Sequence, residues 1–235
     1  MNEPFPIFFA KASDLLGRYE KVDQNVQSLS KRYPPSQYPK VLDMCSGIGH
    51  YGNAFAKLGY QVTGIELSAE LVEYAKEKST SPNVEYLVGS MEDKVSSGPF
   101  SLLINTYSSF GYMGSVEKDL DVLRNWYGLI SEGGSLVMEL TDLERAKHAF
   151  NFPNDFQDRE SNGVREKLSM DWGKQMLTVD FSHGSQKYRG RTRIYETEQL
   201  IGMLKFVGFS EVSISGDFEE SPKTADSRLI LECRK

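Results

Sequence analysis

The sequence predicts an α/β fold, with a mostly parallel sheet carrying helices on both faces. Three observations carry that expectation. Between residues 40 and 140, short apolar runs of strand length alternate with helical patterns. A glycine-rich turn, Gly47-Ile48-Gly49, follows the first of those runs. Beyond residue 144 the rhythm becomes strand–turn–strand, which implies a separate antiparallel piece.

Taken in order, residues 7–31 read as helix. Ile7, Phe8, Leu15, Leu16, Val22, Val26 and Leu29 fall near helical spacing, and Pro34, Pro35 and Pro39 end the region. Strands are expected at 40–44, 61–66, 84–88, 102–105 and 135–140. The helices between them are expected at 50–58, stopped by Gly59, at 69–78, capped by Ser68, and at 116–130, stopped by Glu132-Gly133-Gly134. Residues 165–172, 175–182 and 186–195 read as a three-stranded meander with turns at Gly173 and Gly184. A helix over 197–207, capped by Thr197 and stopped by Gly208, and two strands near 210–216 and 228–233 complete the pattern.

Composition narrows the function classes. A chain of 235 residues with 39% hydrophobic residues can bury one α/β core, with room for a small appended piece. Its net charge of -6 argues against the broad positive field of a nucleic-acid binder. No apolar run approaches the roughly 18–20 residues of a membrane span. The start of the chain shows no basic stretch followed by an apolar one, and Cys45 and Cys233 stand alone. Together these give the expectation of a cytoplasmic protein without a disulfide framework. Two cysteines and three histidines lack zinc spacing, so no metal is expected.

Two features carry chemistry. In Asp43-Met44-Cys45-Ser46-Gly47-Ile48-Gly49 a strand hands over to a helix. The glycines let the backbone turn sharply and approach a ligand, and the helix start presents free N–H groups. Asp43 is placed to orient this loop or to accept hydrogen bonds from an ammonium. In the second feature, Glu66 ends the neighbouring strand, where a carboxylate can accept two hydrogen bonds from a ribose diol. Gly47 to Gly52 also matches the dinucleotide pattern G-x-G-x-x-G. Against that reading stand the charge of Asp43 at the strand end and the antiparallel continuation, which replaces a second mononucleotide half.

In order and spacing, these segments resemble class I S-adenosylmethionine-dependent methyltransferases. Asp43 to Gly49 is similar to the family's first motif, and Glu66 to its ribose acid. Residues 84–93 are similar to the third motif, 100–105 to the fourth strand, and 129–140 to the fifth-strand motif. The resemblance implies a Rossmann-like, seven-stranded sheet with S-adenosyl-L-methionine as cofactor. It implies cofactor contacts at Asp43, Cys45, Gly47, Gly49, Glu66, Leu67, Ser90, Met91 and Asn105, with Tyr19 closing over the cofactor from the N-terminal helix. The chain departs from the family at Cys45 and Ser46, where Gly and Cys are common, and at Ser90, where many members carry an acid. Residues 1–39 are then a helical lid, 40–143 and 196–235 the cofactor-binding core, and 144–195 an antiparallel insertion serving as substrate lid or dimer surface.

Residues 105–112 and 193–198, with the insertion, are similar to bacterial small-molecule N-methyltransferases acting on amino sugars and other natural-product amines. The resemblance therefore implies a small-molecule acceptor methylated most readily on nitrogen, with O- or C-methylation and non-catalytic cofactor binding as alternatives. Partners are expected to be the small molecule, with no nucleic acid or membrane, and the chain a monomer or homodimer. Nucleic-acid methylation would call for an Asn/Asp-Pro-Pro-Tyr/Phe run after the fourth strand, where this chain has Asn105-Thr106-Tyr107-Ser108. Tyr107 and Tyr112 follow that strand directly and are the catalytic candidates, able to hold an amine and shield a sulfonium. Lys187, Arg189, Arg191 and Arg193 share one face of a strand. Arg193 and Tyr195 are the substrate-binding candidates.

Overall fold

A computed structural model describes residues 4–235. The elements are α1 (Ile7–Leu15), α2 (Val22–Arg32), β1 (Lys40–Met44), α3 (His50–Lys57), β2 (Gln61–Glu66), α4 (Ala69–Lys78), β3 (Val84–Val88) and β4 (Phe100–Asn105). They continue as α5 (Val116–Leu129), β5 (Ile130–Leu140), α6 (Leu143–Phe150), β6 (Phe156–Ser161), β7 (Val164–Asp171), β8 (Met176–His183), β9 (Gln186–Arg193), α7 (Thr197–Val207), β10 (Ser210–Ser215) and β11 (Leu229–Arg234).

The main sheet has seven strands in the order β10-β11-β5-β4-β1-β2-β3. Strands β5, β4, β1, β2 and β3 are parallel, whereas β11 runs antiparallel to both β5 and β10. Alternation along each strand sends neighbouring side chains to opposite layers. Val41, Leu102, Ile104 and Val137 pack on Val26 and Leu29 of α2 and Phe55 of α3. Leu42, Leu103, Leu136 and Met138 pack on Trp126 of α5 and Leu204 of α7. From β1 the chain moves outward through β2 and β3, then returns to β4 on the other side. The carboxyl ends of β1 and β4 therefore flank a switch point, where an open α/β sheet forms its ligand crevice.

Four expectations are corrected. The helix expected over 7–31 is two helices, because Gly17 at φ +68° turns the chain between them. Helix α5 stops at Leu129, and Glu132-Gly133-Gly134 lies inside β5. The meander has four strands in the order β6-β7-β8-β9, preceded by α6. Strand β6 (FQDRES) is exposed and charged, so no apolar alternation betrays it. Helix α7 is capped by Glu196 in a box with Gln199, while the Thr197 hydroxyl donates to Asp142 at 2.9 Å.

Helix α1 joins the two sheets. Phe8 and Ala12 pack on Val164, Phe181 and Tyr188 of the small sheet. Ala10 packs on Ile48 of the glycine loop and Leu71 of α4. Among the described residues, no helix is long and apolar enough to cross a membrane.

Candidate active site

The glycine loop is shaped from below. Gly49, at φ +82°, is the N-cap of α3 in left-handed backbone. A Cβ there would lie 2.5 Å from the Tyr86 hydroxyl, and one at Gly52 or Gly64 would also collide with that ring, at 2.7 and 2.5 Å. Tyr86 is fully buried and donates to the Gly49 carbonyl at 2.9 Å. Two of the three glycines in the G-x-G-x-x-G match, Gly49 and Gly52, together with Gly64 of β2, thus make room for one tyrosine. Gly47 differs, since a Cβ there would meet nothing within 4 Å although its φ is +55°. Open space lies above the loop at that point.

Two acids close the loop. Asp43, buried at the end of β1, accepts from the Gly52 N–H at 3.0 Å and so satisfies an early amide of α3. Burial, followed by the nearby Glu66 charge, pushes its carboxyl up to about 7 against the backbone bond. Glu66 accepts from Gly47 N–H on one oxygen and Ser68 N–H on the other, each at 3.0 Å. Its carboxyl is also raised by burial. Since a carboxylate offers about four acceptor positions, these two bonds leave capacity for a diol. Burial, then Glu66 and Asp43, push the Cys45 thiol well above its usual range, so it is a neutral lining group.

Across the switch point, Asn105 donates from Nδ2 to the Met44 carbonyl at 2.9 Å, tying β4 to β1. Its Oδ1 and the Ser46 Oγ are buried without a protein partner. Leu67 is exposed beside Glu66. The Ser90 amide donates to Asp93 at 2.7 Å, and the Met91 carbonyl accepts from Trp126 Nε1 at 3.1 Å. The residues present fit S-adenosylmethionine. They supply an open loop face, two buried acids suited to a compound with a sulfonium and an ammonium, and buried polar atoms in want of donors.

The facing wall is aromatic. The Tyr19 ring lies 4.3 Å from that of His50 and meets Tyr107 edge-on at 5.0 Å. Tyr107 donates its hydroxyl to the Arg18 carbonyl at 2.9 Å. Tyr112 packs edge-on to Phe5 at 5.7 Å, and Phe5 lies 4.7 Å from Tyr188. Burial, followed by Tyr188 and Cys45, pushes the Tyr112 hydroxyl up. Burial is the first cause that raises all three phenols: Tyr19 to about 12, and Tyr107 and Tyr112 further. Tyr112 also borders an open groove of about 990 Å³ that runs past Phe156, Trp172, Lys174, Thr178 and Arg191 of the small sheet.

Two expected substrate contacts become supports. Tyr195 is buried in the main core, and its hydroxyl is committed to Asp119 Oδ2 at 2.6 Å. Arg193 gives Nη1 to the Lys174 carbonyl at 2.8 Å, which ties the β7–β8 turn to β9. Of the basic row, Lys187, Arg189 and Arg191 are exposed, and Arg189 pairs with Asp180. His50 pairs with Asp14 at 3.1 Å and borders a groove of about 340 Å³ between α3 and α4.

Sequence reasoning passed over several contributors. Arg18, in the α1–α2 turn, is paired with the buried Glu166 of β7, which Arg159 also holds at 3.0 Å. Glu139 and Arg228 lie behind Tyr107. The triplet of glycines around one register could have revealed Tyr86; the others join segments far apart in the chain.

Residues 41–134 match the family described as a methyltransferase domain. A Bacillus subtilis (strain 168) protein, YqeM, whose name puts it forward as a methyltransferase, is 23% identical over 97% of this chain and 96% of its own. The ubiquinone biosynthesis O-methyltransferase of Xanthomonas campestris pv. campestris (strain B100) is 35% identical over 113 residues, 47% of this chain and 46% of that protein. The SAM-bound structure of CalS10, described as an amino pentose methyltransferase from Micromonospora echinaspora, superposes with a TM-score of 0.72. It has 17% identity, covering 100% of this chain and 99% of that one.

Proposed function

We propose that the acceptor is an amine of a small molecule, on the premise that this chain is a class I S-adenosylmethionine-dependent methyltransferase. When bound, the cofactor supplies an electrophilic methyl on a positively charged sulfur. The chain's own residues bind, align and exclude water. Glu66 would accept from the ribose hydroxyls, and Asp43 and Glu66 place negative charge near the cationic end. Leu67, Ser90 and Met91 would border the adenine, and Cys45, Gly47, Gly49 and Asn105 the methionyl part.

The observation that supports the amine reading is that the wall facing the loop carries phenols, with Tyr19 edge-on to Tyr107 and Tyr112 edge-on to Phe5. Tyr19, Tyr107 and Tyr112 all stay protonated near neutral pH. They can hold an acceptor by hydrogen bond and offer ring faces to a cation, but they are not bases. An alcohol would need a strong base at that point. An amine with a pKa near that of an α-amino group, about 8, is already about a tenth neutral at pH 7. It can lose its proton to solvent before transfer. CalS10, by its description, also acts on an amino sugar. The O-methyltransferase relative favours oxygen less, because its matched 113 residues cover under half of this chain.

The test is methylation of matched amine and hydroxyl acceptors with labelled S-adenosylmethionine, with products located by mass spectrometry. N-methyl products support the reading. Methyl found only on oxygen or carbon overturns it, and cofactor binding without turnover of any acceptor points to a non-catalytic role.

A further inference from the structure

Directly after β4, Tyr107 and Ser108 both have left-handed backbone, at φ +57° and +60°. Two consecutive residues with side chains in that region are strained, and the surroundings must hold them there. The holding group is a part-buried ion pair between Glu139 of β5 and Arg228, the residue just before β11. Glu139 of β5 accepts from the Tyr107 N–H at 3.1 Å through Oε2, and its main-chain carbonyl accepts from the Ser108 N–H at 2.9 Å. Its Oε1 accepts from Arg228 Nε at 3.1 Å. Arg228 donates onward from Nη1 to the Thr141 hydroxyl at 2.6 Å and from Nη2 to the Ser108 hydroxyl at 2.9 Å. That hydroxyl also accepts from the Thr141 N–H at 2.7 Å. Both faces of the turn are thus fastened to one guanidinium–carboxylate pair.

The turn aims Tyr107. In this conformation the Tyr107 ring stands edge-on to Tyr19, and its hydroxyl reaches the Arg18 carbonyl, in the α1–α2 turn. A right-handed or extended turn would carry the ring elsewhere and release that contact. We propose that Glu139 and Arg228 are positioning residues for methyl transfer: they hold the Tyr107–Ser108 turn in its strained form and so set the acceptor-side wall and its junction with the lid. The proposal rests on the reading of that wall as the acceptor side, but not on the acceptor being an amine.

The test needs no acceptor. Protein labelled with 3-fluorotyrosine gives 19F signals from 12 tyrosines, and Tyr107→Phe identifies the one of interest. Arg228→Lys and Glu139→Gln should shift or broaden the Tyr107 signal, leaving affinity for S-adenosylhomocysteine within about threefold of the parent. Ser108→Ala removes the hydroxyl that Arg228 and Thr141 hold and keeps the strain, whereas Ser108→Gly removes both, so Arg228→Lys should move the signal less in the Gly background than in the Ala background. A pair serving stability alone would lower Tm equally in both backgrounds and leave the signal in place. Should the ion-pair variants fail to fold, Ser108→Ala, which removes only the hydroxyl, must still broaden the signal. A Tyr107 signal unchanged in position and width in folded variants overturns the proposal. An acceptor methylated on oxygen would overturn the amine reading and leave this one intact.

Discussion

The cofactor loop and the aromatic wall facing it lie across one crevice and are built in different ways. The loop is backbone held by single groups from the strands beside it: Gly52 N–H on Asp43, Gly47 and Ser68 N–H on Glu66, Gly49 over Tyr86. The wall is made of side chains from distant segments. Phe5 meets Tyr112 and Tyr188, and Arg18 reaches Glu166 across 148 positions. A loop of the first kind tolerates few changes, because each group is fixed by geometry. A wall of the second kind can be loosened piece by piece while the fold survives.

The largest expected effect breaks the loop. Gly49→Ala places a Cβ 2.5 Å from the Tyr86 hydroxyl in left-handed backbone. It should cost about 2–5 kcal/mol of stability. Chemical denaturation of the variant reads this directly, and a loss under about 1 kcal/mol would mean that Tyr86 moves aside at little cost.

Asp43→Asn tests the electrostatic half of the comparison. The Asp43 carboxyl is raised to about 7, so in the folded chain its ionised form is the disfavoured one. The contribution of Asp43 to stability without cofactor is therefore most favourable at low pH and falls as pH climbs from about 4 to 7. A cationic ligand prefers the ionised form, so affinity for S-adenosylmethionine should improve about tenfold from pH 6 to pH 8. Asn keeps an acceptor for Gly52 and removes the charge. The variant should melt higher than the parent at pH 8, bind the cofactor more weakly, and show a flat pH profile by calorimetry. A parental pH profile in the variant would assign the titration to another group.

The same contrast explains what was legible beforehand. The glycine turn, Asp43, Glu66 and the parallel strands could be read because each is a local pattern, decided within a few residues by turn and strand chemistry. Strand β6 was hidden because an exposed, charged edge strand has no apolar period. Tyr195 misled because an aromatic after a basic strand looks available until Asp119, 76 positions earlier, is seen to hold its hydroxyl. Glu139 and Arg228 are 89 positions apart and meet only through the antiparallel pairing of β11 on β5. Side-chain partnerships made by sheet order leave no trace in spacing.

A smaller effect should follow from loosening helix α1. Arg18→Met removes one of two arginines from Glu166 and leaves Arg159 in place. The residual pair limits the cost to about 1 kcal/mol. The change should appear as faster amide exchange in α1, whose Phe8 and Ala12 rest on the same sheet, with little change in Tm. Equal acceleration throughout the main sheet would show that α1 and the core open as one unit.

The smallest expected effect is at Tyr112. Its hydroxyl is held protonated by burial, while its ring packs on Phe5. Tyr112→Phe keeps the ring and therefore the shape of the wall. Cofactor affinity should stay within about twofold, because the loop side has its own partners, whereas loss of one hydrogen bond to the proposed acceptor should lower turnover by about 2- to 4-fold. If instead turnover is kept and cofactor affinity falls, the hydroxyl belongs to the loop and not to the wall. The boundary between the two halves would then run between Tyr112 and Tyr107, leaving Tyr107 as the phenol on the acceptor side.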